Sequence, residues 1–194
     1  SLKSYVYVPF HFQPENTTSC FGGRYCNQIL FLRKIRSLID PSIPIVVKDN
    51  PLNSSGRAYP RPSNYSSYVK AVVDNIMFAP IHCSSRELIA KSICTFSVNG
   101  TASFESSIMG VPSVFGGRSI FSSMPNTIHI DTFDSSFTFD EWLASVAHDS
   151  RAKDQCNTFF SDRKNYIFPC VAYPNIMSDS DFSSSFDSME VASS

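Results

Sequence analysis

Ile93-Cys94-Thr95-Phe96-Ser97-Val98-Asn99-Gly100-Thr101-Ala102-Ser103-Phe104-Glu105 is the stretch from which the fold can be read. Ile93 to Val98 is short, rich in β-formers and uncharged, the composition of a strand buried on both faces. Asn99-Gly100 breaks the run, and Thr101 stands where a helix N-cap belongs, ahead of Ala102 to Met109. Gly110-Val111-Pro112 ends that helix, and Val111 to Phe115 starts another strand. A strand, a glycine turn and a helix start are the half-unit with which open α/β sheets hold phosphate. The turn is neither GxGxxG nor GxxxxGK[ST], so an ordinary capped helix also fits these residues.

The same alternation extends in both directions. Tyr5 to Phe10 reads as a strand with Pro9 near its carboxyl end. A long polar loop, His11 to Ser19, closes at Gly22-Gly23, and loops of this length between strand and helix tend to be functional. Arg24 to Ile39 has a helical apolar period (Ile29, Leu32, Ile35, Leu38, Ile39) and stops at Asp40-Pro41. Ile43 to Val47 is the next strand, leading into Lys48-Asp49-Asn50-Pro51 and a polar loop to Pro62. A helix from Ser63 to about Val73, a strand from Asn75 to Pro80 and a short helix from Ser84 to Ser92 precede the opening stretch. Beyond it come an irregular loop, a short strand at Thr127 to Asp131, a helix at Phe139 to His148 and a weaker helical pattern at Arg151 to Tyr166. The β-α-β-α order predicts an α/β fold: a doubly wound, mainly parallel sheet with helices on both faces.

Composition narrows the function. The chain has 194 residues and a net charge of −1. That length suits one domain with a real core, and the charge offers no basic field for nucleic acid or an anionic membrane. With no run of eighteen apolar residues and no signal-peptide pattern, a cytoplasmic chain is expected. The six cysteines have no CxxC spacing, so neither disulfides nor a metal site is expected. Four histidines lack metal-ligand spacing, each reads singly as structural or exposed, and Ser84-Ser85 lies in no GxSxG. Residues 178–194 hold eight serines and four acids with no basic residue, the composition of a disordered tail. The expected organisation is one α/β domain over 1–177 and that tail.

Parallel strands would bring three loops to one rim: His11 to Gly23, Lys48 to Pro51 and Asn99 to Thr101. The rim would offer Lys48 as a point charge, the hydroxyls of Thr17, Thr18, Ser19 and Thr101, and Glu105 one turn into the helix. A helix terminus alone holds an anion by only about 0.3–1 kcal/mol, so a phosphate site must recruit Lys48 and the hydroxyls. Glu105 suits a sugar hydroxyl or, as readily, a solvated helix-dipole position.

These loops resemble the capsule polysaccharide biosynthesis family, which includes bacterial capsule β-Kdo glycosyltransferases. Tyr5-Val6-Tyr7-Val8-Pro9-Phe10-His11-Phe12-Gln13-Pro14-Glu15-Asn16-Thr17-Thr18, with Gly22-Gly23 and Gln28, is similar to "YVYFPLHYQPEATT…GG…Q". Val46-Val47-Lys48-Asp49-Asn50-Pro51 is similar to a "KEHP" element, and Asn99 to Glu105 with Gly110 to Gly116 is similar to "NGTAGFEAL..GKPV.VFG". The match runs in order from Tyr5 to about Asp131. It implies the donor-binding half of a GT-B glycosyltransferase, with a nucleotide sugar, CMP-linked in preference to UDP-linked, as substrate and no separate cofactor. The resemblance implies Asn50, Pro51, Thr101 and Ser103 in nucleotide binding; with Thr17, Thr18, Lys48 and Glu105 of the rim and Gln13, Asn99 and Gly100 of the matching motifs they make up the expected binding residues. A GT-B enzyme has two α/β halves. The N-terminal partner half is expected to supply contacts to a glycan or glycolipid acceptor and the catalytic carboxylate. Such an enzyme works in the cytoplasm or peripherally at the inner face of the inner membrane. Asn50 stands where the family has His, which removes any role for an imidazole cation. Two other functions fit the same residues: a non-catalytic nucleotide-binding or scaffold module, and a nucleotide-sugar epimerase on the same fold.

Overall fold

Six parallel strands form one sheet in the order β3-β2-β1-β4-β5-β6. They are β1 (Val6–Pro9), β2 (Ile45–Lys48), β3 (Ile76–Ala79), β4 (Cys94–Ser97), β5 (Ser113–Phe115) and β6 (Thr127–His129). The structure is a computed structural model describing residues 4–13, 16–54, 61–119, 121–134, 137–147, 154, 155 and 158. The chain divides at residue 159/160, and the unit from 160 onward lies outside the described residues. So do the Ser-rich tail and most of the helix expected over Arg151 to Tyr166.

The strand order is that of one Rossmann-like half, with all five pairings parallel. The connection reverses direction between β1 and β4, where Val6 pairs with Cys94 and Tyr7 with Thr95. The crevice outside the carboxyl ends at such a reversal is the usual ligand position in this architecture.

Alternation along the strands gives the sheet two different faces. On one, Val6, Val8, Ile45, Val47, Phe96, Val98 and Val114 pack with Phe31, Leu32 and Ile35 of α2 (Gln28–Leu38), Val69 of α4 (Tyr65–Val72) and Trp142 of α7 (Phe139–Ala147). On the other, Tyr5, Tyr7 and Val46 pack with Ile89 of α5 (Ser85–Lys91). There α6 (Ala102–Ile108) meets β4 and β5 through small hydroxylated side chains. Ser106 Oγ lies 3.0 Å from both Thr95 Oγ1 and the Val111 carbonyl, and Ser113 Oγ donates to the Ser103 carbonyl at 3.3 Å. Cys94 is fully buried, which pushes its thiol pKa well up, so it acts as a small apolar filler.

Three local expectations are corrected. The polar loop after β1 contains a short helix, α1 (Asn16–Phe21), followed by a 3-10 turn (Gly23–Cys26). The helix expected from Arg24 starts at Gln28, because the Asn27 side chain accepts from the amides of Ile29 and Leu30 and caps it. Thr101 precedes α6 but sits in the right-handed helical region and makes no side-chain cap bond. Its hydroxyl donates instead to Glu105 Oε1 at 3.3 Å.

Candidate functional site

His11 is the hub of the crevice between β1 and β4. It follows the β1 strand, and Gln28 of α2 grips its backbone from both sides. The His11 N–H donates to Gln28 Oε1 at 2.8 Å, and Gln28 Nε2 donates to the His11 carbonyl at 3.1 Å. The ring reaches across to β4, where Nε2 lies 3.3 Å from Ser97 Oγ, which also accepts the Gly100 amide at 3.2 Å. A Cβ placed on Gly100 would lie 2.5 Å from His11 Cε1, so the turn after β4 is moulded on the imidazole.

The loop after β2 is tied to the same point. Asp49 Oδ1 accepts from the Asn50 amide (2.8 Å), Asn53 Nδ2 (2.7 Å) and Arg61 Nε (3.1 Å). Arg61 also donates from Nη2 to the His11 carbonyl at 3.2 Å, and its guanidinium lies over the rings of Phe10 and Tyr65. Asn50 Oδ1 accepts from the Leu52 amide at 3.0 Å and so starts α3 (Pro51–Ser54), with Pro51 at the first helical position. The three loops expected on one rim are therefore on one rim, and hydrogen bonds join them.

The implied site residues divide into groups. Lys48 is half-buried, and its Nζ donates to Ser85 Oγ at 3.0 Å, which leaves two of its three N–H bonds for a ligand. Glu105 is half-buried on the same face as Lys48, close enough to Tyr7 for its charge to be felt there. Burial pushes the Tyr7 phenol up to about 12, against the pull of the neighbouring Ser85 hydroxyl, and Glu105 adds to the rise. Gln13 donates from Nε2 to the Cys26 carbonyl at 2.5 Å and fastens its loop to the 3-10 turn. Thr18 is wholly buried, and Ser103 is buried with its Oγ unpartnered beneath α6, so neither hydroxyl faces the crevice. Thr101 is exposed at the rim. Asn99 and Gly100 form the turn itself, although the Gly100 amide is already engaged by Ser97. Thr17 lies in α1.

His11, Asp49, Arg61 and Ser97 were not among the residues expected at the site. The signal for His11 was its place directly after a strand at the reversal of chain order, which no survey of histidine spacing detects. A concavity of about 570 Å³ opens beside this network, lined by Gln13, Gln28, Arg61 and Tyr65 among others. Among the described residues no group of three or more His, Cys, Asp or Glu is placed to hold a metal ion. No helix among them is long and apolar enough to cross a membrane.

No family model matches the chain, and no curated protein matches it. Solved structures of similar fold include glycosyltransferases and UDP-N-acetylglucosamine 2-epimerases. KpsC of Thermosulfurimonas dismutans, a β-Kdo 2,7 transferase, superposes with a TM-score of 0.52 at 18% identity, over 67% of this chain and 38% of that one. The spinosyn rhamnosyltransferase SpnG gives a looser likeness, with a TM-score of 0.45 at 11% identity, over 85% of this chain and 42% of that one. At these identities the likeness is one of fold, and the chain spans less than half the length of either structure.

Proposed function

We propose that this chain is the donor-nucleotide-binding half of a glycosyltransferase for surface polysaccharide, using a CMP-linked sugar. The observation that carries the reading is the joining of the three motif loops around His11 at the β1/β4 reversal. That arrangement leaves Lys48 with spare donors and α6 without a side-chain cap. Uncapped first-turn amides and a partly desolvated ammonium are the groups a phosphate needs. Glu105, on the Lys48 face, takes a ribose or sugar hydroxyl. The protein's part in the reaction is to orient the donor and steady the charge on the departing phosphate. The acceptor contacts and the catalytic carboxylate come from a second α/β half, so the isolated chain turns over little or no donor.

One observation favours a second reading, a non-catalytic nucleotide-binding module. Asn50, which stands where the family that the chain resembles has histidine, uses its side-chain oxygen to start α3. Calorimetric titration with CMP separates the two from a pure scaffold. Weak binding is expected of residues 1–194 titrated by themselves, since one α/β half supplies one wall of a GT-B cleft. Lys48→Ala removes a charged hydrogen bond worth about 1.5–3 kcal/mol and should weaken CMP about ten- to a hundredfold, with little change in the melt. Absence of CMP binding, or equal binding by Lys48→Ala, overturns the nucleotide reading.

A further inference from the structure

A second cavity, of about 440 Å³, lies at the carboxyl ends of β5 and β6, and the network around His11 makes no use of it. Its walls include Arg24, Tyr25, Gly117, Arg118, His129 and Asp131. Backbone contact between two glycine pairs closes one side: a Cβ on Gly117 would lie 2.5 Å from the Phe21 carbonyl oxygen and 2.9 Å from Gly22 Cα. The Arg118 amide donates to that same carbonyl at 2.8 Å, which fixes where its side chain emerges.

The polar groups are arranged unequally. Asp131 Oδ1 accepts both Arg24 Nη2 at 2.5 Å and the Tyr25 hydroxyl at 2.8 Å. Burial alone would raise the Asp131 pKa, but these two bonds and the Arg24 charge outweigh it and hold the carboxyl below its ordinary range. The Asp131 amide donates to His129 Nδ1 at 3.2 Å, which leaves the ring proton on Nε2 as a donor. The Arg118 guanidinium has no hydrogen-bond or ion-pair partner among the described residues. Two arginines, Arg24 and Arg118, and one carboxylate thus line the cavity, and the charge left over is positive.

We propose that this cavity is a separate binding site for a sugar carrying an acidic group, either carboxylate or phosphate. Arg118 and the His129 Nε2–H take the anion, and Asp131 Oδ2 accepts a hydroxyl. A bare anion is a poor fit, because Asp131 on the same wall repels it and the volume lies within the range of small-molecule sites. Phe21, exposed in the cavity wall, and the edge of Tyr25 supply apolar surface for the C–H face of a sugar. The site stands independently of the donor reading.

The test is an amide-resonance titration of the full chain with glucuronate, glucose 6-phosphate, glucose, inorganic phosphate and CMP. Glucuronate or glucose 6-phosphate should shift the amides of Gly117, Arg118, His129 and Asp131, and whichever binds tighter identifies the acidic group. Glucose and phosphate alone should bind more weakly. Arg118→Ala, at an exposed position, should weaken the acidic sugar about tenfold or more, and Arg118→Lys should restore part of that loss. Failure of both acidic sugars to shift these amides overturns the proposal, as do equal binding of inorganic phosphate and an unchanged affinity in Arg118→Ala. CMP shifting the same amides in Lys48→Ala overturns the separateness of the site. Loss of CMP binding with the acidic-sugar shifts intact defeats only the donor reading.

Discussion

Gly100→Ala is expected to destabilise the protein through a single side chain, His11, and a double-mutant cycle isolates the effect. The new methyl would lie 2.5 Å from His11 Cε1, and 3.3 Å from both His11 Nδ1 and Ser97 Oγ. Carbon atoms meet comfortably at about 3.5–4.0 Å, so the ring must retreat by about 1 Å. Ser97 holds that ring, and the Gly100 amide holds Ser97. Overpacking of this kind costs about 1–3 kcal/mol, and a lost hydrogen bond adds about 0.5–1.5 kcal/mol. Gly100 is not among the glycines with positive φ, so alanine suits its backbone and returns about 0.4–1 kcal/mol by stiffening the unfolded chain. The net loss should be about 0.5–4 kcal/mol. In a His11→Ala background the obstruction is gone, and the same substitution should become neutral or stabilising. Urea unfolding followed by the fluorescence of Trp142, the only tryptophan and a core residue, reads all four corners of the cycle. Equal costs of Gly100→Ala in both backgrounds would refute the idea that the imidazole moulds the turn.

The remaining predictions use simpler variants. Thr101→Ala should cost less than about 0.5 kcal/mol, because its hydroxyl contacts only Glu105 and caps nothing; a loss above about 1 kcal/mol in urea would mean that it caps α6 after all. Gly22→Ala sets a methyl against the Thr18 carbonyl, a backbone atom that cannot yield, whereas Gly23→Ala meets open space and suffers only its positive φ of 54°. Denaturation should find the first costing about 3 kcal/mol or more and the second about 1–2 kcal/mol, and the reverse order would contradict the packing of this corner. Asp131→Asn should lower the melting temperature at neutral pH. Because the folded pKa of Asp131 lies below its ordinary 3.8, its contribution is present above that value and fades as pH falls through the depressed one. The gap between wild type and variant should therefore close in acid, and a gap that persists there would show that the charge of Asp131 is not what stabilises.

The four central strands, β1, β2, β4 and β5, were legible because each is a short run buried on both faces, a signal that needs no partner to interpret. Val6, Val47 and Phe96 are all essentially inaccessible to solvent, as such runs require. The helix after β1 was not legible. Asn16 to Phe21 has no apolar period, and the turn exists because the glycines after it let the chain fold back onto β4 and β5. Thr101 was misread for a related reason. The residue type favours capping, but capping also needs extended backbone at that position, and the tight turn moulded on His11 puts Thr101 in helical geometry instead. His11 itself illustrates how a site eludes linear reading. Its partners Gln28, Asn53, Arg61 and Ser97 come from four separate segments, and only the parallel sheet brings those segments together.

Under the proposed donor-binding function, charge at the rim bears on the choice of donor. Around β1, β2 and β4 the described cations are Lys48 and Arg61. Arg61 is already committed: Nε to Asp49, Nη2 to the His11 carbonyl, and its plane to two aromatic rings. Freeing it would leave the partly buried Asp49 without its ion pair, which opposes recruiting Arg61 to a ligand. Asn50 adds only a neutral amide, since its oxygen is taken by Leu52. One ammonium with two spare N–H bonds and the first turn of α6 together balance about one phosphate, which is what a CMP-sugar carries. A UDP-sugar brings a second, and among the described residues no cation on this part of the rim is free to neutralise it. CMP should therefore bind at least as tightly as UDP, and the difference should shrink as salt screens the uncompensated charge. Tighter binding of UDP would mean that the second phosphate finds a cation elsewhere, and the charge argument for a CMP-linked donor would fail.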